Sequence, residues 1–594
     1  VEAILGEVMT FRKLSRKRNS RSKRGSFSWI RLLLFGSFAF VVMILAVFWI
    51  SFGPTIMQLV YQPQWKKDVA QAVGLCPNDR KAASTAFDTA MKEAEKAGAQ
   101  PWEKMSALRD YANALYNEFE FAAADKLIDK IVAMEPKEGF KKGSIENNVL
   151  AMALQDRAWD RHGRYLDANA IKKKDLPDGV DDQERAAQLA EMNFGADHLQ
   201  TVQKKTTLAC MLVESGKVAE GEKTFAAIAE TIAKNASLAP ECAWYLAALK
   251  ARAEAFQGQF EQGLATCRKG FESTENEDNK DRIWTEFKLG MRVYANQHEK
   301  AKVAAFDEKQ SPLKGLEHVD KDFWAGNFKA LDALEKVLLA EKRIEVNGVW
   351  TLCYFYDALA GEDTTSGARH LDEEDYKTRL AQFDKWLKEN PTSAAARIGQ
   401  AMTYYGYAWL ARGSGYADTV TKEGWRLYKE RIAKGKAVLD ADPQIKKRDP
   451  AAFEAYATAA LAQGVEKDQY LKMVDECHKA YPDFYQIDRS ASYYLLPRWH
   501  GEDGDTARFI ARRSDQLGGV EGDVLYARLV SHIMRYFDEP FGSEGNFDFA
   551  RFTRGYKELI KRNPSDIQLK MDYLNSCRKK GDYDSMKLVF DALK

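Results

Sequence analysis

Proline is scarce in this sequence, with 15 residues in 594. Five of them, Pro136, Pro391, Pro443, Pro482 and Pro564, stand just past the end of a helical stretch. A proline pushes the residue before it out of the helical region, so these are natural stops. Sustained apolar–polar alternation with β-branched enrichment is absent, which excludes a β-sheet as the main architecture. There is no GxSxG elbow, no phosphate-cradling P-loop and no GxGxxG turn, which removes the common hydrolase, nucleotide and dinucleotide readings. The eight histidines, His162, His198, His298, His318, His370, His478, His500 and His532, form no HxH, HxxxH or HExxH spacing. No zinc site follows from them. Seven cysteines form no CxxC pair, and their number is odd and their spacing irregular. They read as buried thiols in apolar helical contexts, with one disulfide left open. No catalytic residue, metal ligand or cofactor is assigned, and enzyme activity is not expected.

Long apolar runs are also missing, except for one. From Trp29 to Phe52 the chain is almost entirely apolar, and from Leu32 onward that run carries no charge. A helix rising ~1.5 Å per residue needs roughly 20 such residues to cross ~30 Å of hydrocarbon. Arg12, Lys13, Arg16, Lys17, Arg18, Arg21, Lys23, Arg24 and Arg31 precede or open the run, and no acid lies between Met9 and Arg31. Basic residues stay on the cytoplasmic side. The run therefore predicts a single transmembrane helix over 28–53, with a cytoplasmic tail over 1–27 and the body periplasmic or otherwise outside the inner membrane. A cleaved signal peptide usually has an apolar region of about 7–15 residues. Here the run is longer, and the small-residue pair Ser51-Phe52-Gly53 is followed at once by Pro54. The expectation is an uncleaved signal-anchor.

The net charge of +1 conceals an asymmetry. Residues 1–31 carry nine basic and two acidic side chains, a charge of +7, which leaves −6 for the rest. A nucleic-acid binder would place positive charge on its folded body. Here it lies on the tail, suited to anionic lipid headgroups, and no nucleic-acid partner is expected.

Beyond about Gln62 the pattern is helical almost throughout, and the helices come in pairs. In 103–136 Ala107, Leu108, Tyr111, Ala112 and Leu115 make one apolar stripe. A break at Glu118–Glu120 follows, then Ala123, Ala124, Leu127, Ile128 and Ile131 make a second stripe, closed by Pro136. Related pairs fall in 198–233, turning at Gly216, in 241–273, turning at Gly258, in 450–482, turning at Gly464, and in 565–593, turning at Gly581. This pattern resembles the tetratricopeptide repeat, whose period is ~34 residues. A pair cannot bury both apolar faces alone, so stacking into an α-solenoid with a concave groove is implied. The fold class expected is thus all-α, an N-terminal spanning helix followed by a solenoid of antiparallel pairs. A juxtamembrane segment is placed at 54–100, a tetratricopeptide-like array at 101–360 and an aromatic-rich helical-repeat domain at 376–594. Charged, Gly-containing breaks are expected at 137–146, 172–184, 274–281 and 361–375.

The last domain also resembles a bacterial helical-repeat family of unassigned function. The likeness covers roughly 375–540 and rests on Leu495-Leu496-Pro497-Arg498-Trp499-His500-Gly501, on Arg412-Gly413-Ser414-Gly415-Tyr416-Ala417 and on Gly522-Asp523-Val524-Leu525-Tyr526-Ala527-Arg528. It implies a helical-repeat fold and no activity. Candidate binding residues are Arg498 and Trp499, an arginine beside an aromatic ring that can clamp a carboxylate, and Tyr404, Tyr407 and Trp409, which can form a ligand platform. Cys477 and His478 are adjacent, hence ~100° apart on a helix, one facing the core and one outward. The acidic loop 538–546 reads as a solvated turn, and Gly413 as a helix end. The function expected is a non-catalytic, membrane-anchored scaffold that binds a protein or peptide partner in the repeat groove. The alternative is a ligand-binding or enzymatic C-terminal domain on a repeat spacer, which requires Arg498, Trp499 and the 538–546 loop to share a cleft.

Overall fold

A glycine with positive φ between two amphipathic helices is the recurrent local unit of the chain. Gly258 needs to be glycine twice over: its φ is 76°, and a Cβ there would lie 2.8 Å from the Tyr294 ring. Gly464, at φ 67°, ends Ala451–Gln463, its amide directed at the Ala460 and Leu461 carbonyls. This left-handed cap satisfies carbonyls that a helix end otherwise leaves open.

The computed structural model describes residues 63–593 apart from 78, 168–175, 311–315, 317, 362–370 and 414–418; over 299–310 it describes backbone alone. Among the described residues the chain is all-α, with no strand and one isolated antiparallel bridge between Ile344 and Trp350. The predicted pairs are present. They are Pro101–Asn117 with Phe121–Ala133, Leu199–Glu214 with Val218–Lys234, Ala239–Phe256 with Phe260–Glu272, and Ala451–Gln463 with Lys467–Ala480. In the last pair Ile567–Lys580 ends at Gly581, and Lys587–Leu593 returns. All seven cysteines are free and buried, which closes the disulfide question.

The membrane part of the expectation is corrected. Among the described residues no helix is long and apolar enough to cross a membrane. The longest, Glu277–Gln310, has ample length at 34 residues but carries Lys280, Arg282, Glu286, Lys288 and Arg292 within its first half. The transmembrane helix over 28–53, the signal-anchor and the single-pass inner-membrane localisation with a periplasmic body therefore find no support in the fold. The tail over 1–27 and the run over 28–53 themselves lie outside the described residues.

The chain divides into two compact units, one within 1–165 and 175–196, the other within 166–174 and 197–594. The first stacks three pairs: Gln64–Leu75 with Arg80–Lys96, Pro101–Asn117 with Phe121–Ala133, and Ile145–Asp167 with Val180–Phe194. Ala83, Ala90, Ala94, Ala112 and Ala124 are fully buried, and such small residues let helices approach closely enough for Phe87 to stack on Tyr111 at 4.3 Å.

The second unit is solenoid-like. The first helices of successive pairs pack on one another and are covered on both sides. Ala394–Arg412 and Ala451–Gln463 show this, with buried alanines around most of their circumference. Second helices bury one stripe only: Phe549–Arg562 covers Phe552, Gly555, Tyr556, Leu559 and Ile560. Within this unit the C-terminal pair packs back on Phe260–Glu272 and Glu277–Gln310. Trp284 Nε1 and Lys288 Nζ both donate to Asn575 Oδ1, at 2.8 and 2.9 Å, and Phe590 packs on Phe260 and Phe287.

Candidate binding sites

In the first unit, the leading helices of the first two pairs face each other across a groove of about 830 Å³. Trp65 and Trp102 stand at one side of it, with the Lys66 ammonium 5.4 and 5.6 Å from their ring centroids. Lys66 also pairs with Glu103 at 2.7 Å, and that contact holds the Glu103 carboxyl below its usual range. Further along, Asp110 lines the groove, and burial of its carboxyl raises its pKa. Neighbouring Arg109 is committed to Asp156 at 2.5 Å, and Asn113 donates to the same carboxylate at 3.0 Å. The groove thus presents the Trp102 indole, a cation and a carboxylate, over a buried Trp65. None of these residues was singled out from the sequence, because an amphipathic stripe does not say which of its edges faces a neighbour and which faces a gap.

The second unit holds a cavity of about 810 Å³. One wall is the 343–350 turn, closed by Glu345 N to Val349 O (2.8 Å) and Thr351 N to Arg343 O (2.9 Å). The turn is fixed by Trp350 Nε1 donating to Asp483 O and by Arg528 Nε donating to Val346 O, both at 2.9 Å. Arg489, on Gln486–Tyr494, and Arg528, His532 and Arg535, on and just beyond Gly519–Ile533, line the cavity. Burial, and then the charges of Arg489 and Arg535, lower the His532 pKa to about 3, so its ring is neutral at physiological pH. The spacing of 528, 532 and 535 is the i, i+4, i+7 signature of one helix face, a signal legible in sequence. Arg489 had no such signal.

The five residues proposed from sequence divide. Trp409 and Trp499 meet edge to face at 6.3 Å. They belong to a continuous aromatic path that runs Trp425, Tyr428, Trp409, Trp499, Tyr493, Tyr536. Arg498 is exposed and lies over the Tyr536 ring at 5.5 Å, while Arg412 lies over Trp409 and Trp425. Tyr407 is buried elsewhere, stacked on Tyr376 at 5.2 Å with the Arg431 guanidinium 3.3 Å from its centroid. It is two positions from Trp409, about 200° round the helix. Tyr404 is half-buried, and burial raises its phenol pKa. Arg498, Glu544 and Gly545 line one cleft of about 250 Å³, with Trp499 packed beside it and not in its wall.

Two other sequence features have structural partners. Cys477 is buried in the core, and His478 Nε2 lies 3.0 Å from Asp488 Oδ1. In the acidic loop Glu544 accepts from the Asp538 and Glu539 amides, at 2.7 and 3.0 Å, as a turn does. Gly413 ends its helix, its amide donating to Trp409 O at 2.8 Å, while 414–418 lie outside the described residues. Among the described residues no group of three or more His, Cys, Asp or Glu is placed to hold a metal ion. No protein-family model matches the chain, and no curated protein matches it significantly.

Proposed function

We propose that the chain is a non-catalytic, tetratricopeptide-like scaffold whose first unit receives a segment of a partner protein, basic where it meets Asp110. The groove between Gln64–Leu75 and Pro101–Asn117 is the observation that carries this reading. Leading helices of stacked pairs form the concave side of such arrays, and amphipathic or extended peptides are the ligands that a groove of this form accommodates. Trp102 supplies flat apolar area at little entropic cost, and Asp110 supplies a charge whose local cation, Arg109, is engaged by Asp156. The repeat is irregular: leading helices begin at 64, 101 and 145, offsets of 37 and 44 residues against the ~34 of the tetratricopeptide family.

A photo-crosslinking residue placed at Ala70 or Asn117, both exposed along the groove, tests the reading against the same residue at Lys92 or Lys130, exposed on second helices. The expected result is that the groove positions capture one partner segment, and that Asp110→Lys or Trp102→Ala abolishes the capture while helicity is unchanged. Equal capture from the second helices, or capture indifferent to both substitutions, overturns it.

A further inference from the structure

Several arginines that leave water in this chain take a carboxylate with them. Arg157 has Asp182, Arg252 has Glu214, Arg379 has Asp320 and Arg513 has Asp488. Arg431, which bonds to a carbonyl, is covered by the Tyr407 ring. Arg489 and Arg528 follow neither pattern. Among the described residues, Arg489 makes one hydrogen bond, a long one of 3.4 Å to Asn347 O, and its Nε is buried with no hydrogen-bond partner. Among the same residues Arg528 bonds to the Val346 and Glu345 carbonyls alone. Both face the 810 Å³ cavity, and Arg535 stands beside them, exposed and lying over Tyr536.

The acids of the same cavity are engaged elsewhere. Glu345 accepts from Thr351 and Arg343, Asp566 caps Ile567–Lys580 through Leu569 N, and Asp572 accepts from Gln568. A guanidinium withdrawn from water is stabilised by a planar oxyanion that takes two parallel hydrogen bonds. Here the fold supplies the donors and withholds the acceptor. Neutral His532 adds a ring N–H donor or an acceptor without adding charge.

We propose that this cavity binds a small polar molecule bearing a carboxylate or phosphate, its oxyanion seated between Arg489 and Arg528 with Arg535 at the mouth. The site is independent of the groove in the first unit, and either reading can fail without the other.

The test is calorimetric titration of the full chain, in a buffer free of other oxyanions, with inorganic phosphate, citrate and glutamate in separate arms. Saturable binding of at least one probe is expected, and the arm that binds names the oxyanion. Arg489→Gln is expected to weaken that binding roughly tenfold or more, the loss of a charge-assisted bond. Arg535→Gln, at an exposed position, is expected to weaken it several-fold and serves if the Arg489 variant does not fold. The His532 ring resonances should shift along the same saturation curve. Absence of saturable binding in all three arms, or binding unchanged in Arg489→Gln and Arg535→Gln, overturns the proposal.

Discussion

Arg157 grips both carboxylate oxygens of Asp182, Nε at 2.9 Å and Nη2 at 2.7 Å. The pair joins the two helices of the third repeat in the first unit, and Nη1 reaches Asp129 in the second repeat at 2.6 Å. Arg161 bonds to the same Asp182 at 2.9 Å. Both side chains of the central pair are largely buried, 8% and 11% exposed, so removing one leaves the other without compensation. Asp182→Ala should therefore destabilise the first unit by about 3 kcal/mol, near the low end for breaking a buried pair, because Asp129 still holds Nη1. Replacing both residues with apolar ones of similar volume should cost less than the single change. Denaturant melts of the two variants and the unmodified chain check the order; a single change as mild as the double one contradicts it.

Gly555 sets how closely Phe549–Arg562 approaches Gly519–Ile533. A Cβ at this position would lie 2.1 Å from Asp523 O and 2.6 Å from the Ala527 Cβ. Arg551 and Arg554 of the same helix clamp the Asp523 carboxylate at 3.0 and 2.7 Å, so the backbone it must avoid is also tied to it. Gly555→Ala should cost about 3 kcal/mol through overpacking. Gly163 is the contrasting position, exposed within Ile145–Asp167 with nothing within 4 Å of its added Cβ. Gly163→Ala should stabilise by about 0.5–1 kcal/mol through helix entropy. Thermal melts of the two variants should move in opposite directions.

The pairs were legible because their signals are local. Apolar stripes, a turn glycine and a terminal proline lie within one 34-residue window, and Gly216, Gly258, Gly464 and Gly581 all have positive φ. The turn after Pro101–Asn117 was legible as a break, yet its left-handed residue is Phe119, at φ 61°, where composition suggested no such conformation. What the stripes could not encode is which distant pairs pack on one another. Trp284 and Asn575 are 291 residues apart, and each looks like an ordinary helix residue in its own window. For the same reason Arg489 was invisible as a site residue. Its meaning comes from the absence of a carboxylate in three dimensions, and sequence spacing carries no record of that. Trp409 and Trp499 were selected for their aromatic character and do meet, whereas Tyr407 was selected on the same ground and faces the Arg431 side of its helix.

The long-range contact of the C-terminal pair can be tested through Phe590. Its ring is 2% exposed and lies 5.7 and 6.3 Å from Phe260 and Phe287, centroid to centroid. Phe590→Ala removes a buried aromatic and should cost about 3–5 kcal/mol. The informative measurement is amide hydrogen exchange. If the C-terminal pair and the helices it packs on support one another, exchange should rise in Phe260–Glu272 and in the start of Glu277–Gln310 as well as in the last two helices. Acceleration confined to residues beyond 565 would show that they do not stabilise each other.

Glu335 and Asp449 share the Tyr356 hydroxyl deep in the second unit, at 3.3 and 2.5 Å. Burial, and then the Asp449 charge, raise the Glu335 pKa to about 8 from its ordinary 4.5. Burial raises Asp449 too, although the Tyr356 hydroxyl and the Ala451 amide oppose it. A carboxyl that binds its proton more tightly when folded stabilises the fold at low pH and loses that contribution as pH rises through the folded value. The Glu335 contribution should therefore be complete below about pH 4.5 and should decline between about pH 5 and 8. Glu335→Gln keeps an acceptor for Tyr356 and removes the titration. Relative to the unmodified chain, its melting temperature should rise with pH across that window, because the unmodified chain alone pays for ionising a buried acid. Asp449, which interacts with Glu335, shifts with it; titrating groups remote from the pair are common to both proteins and cancel in the difference. A melting-temperature difference that stays constant from pH 5 to 8 would show that Glu335 does not carry this proton.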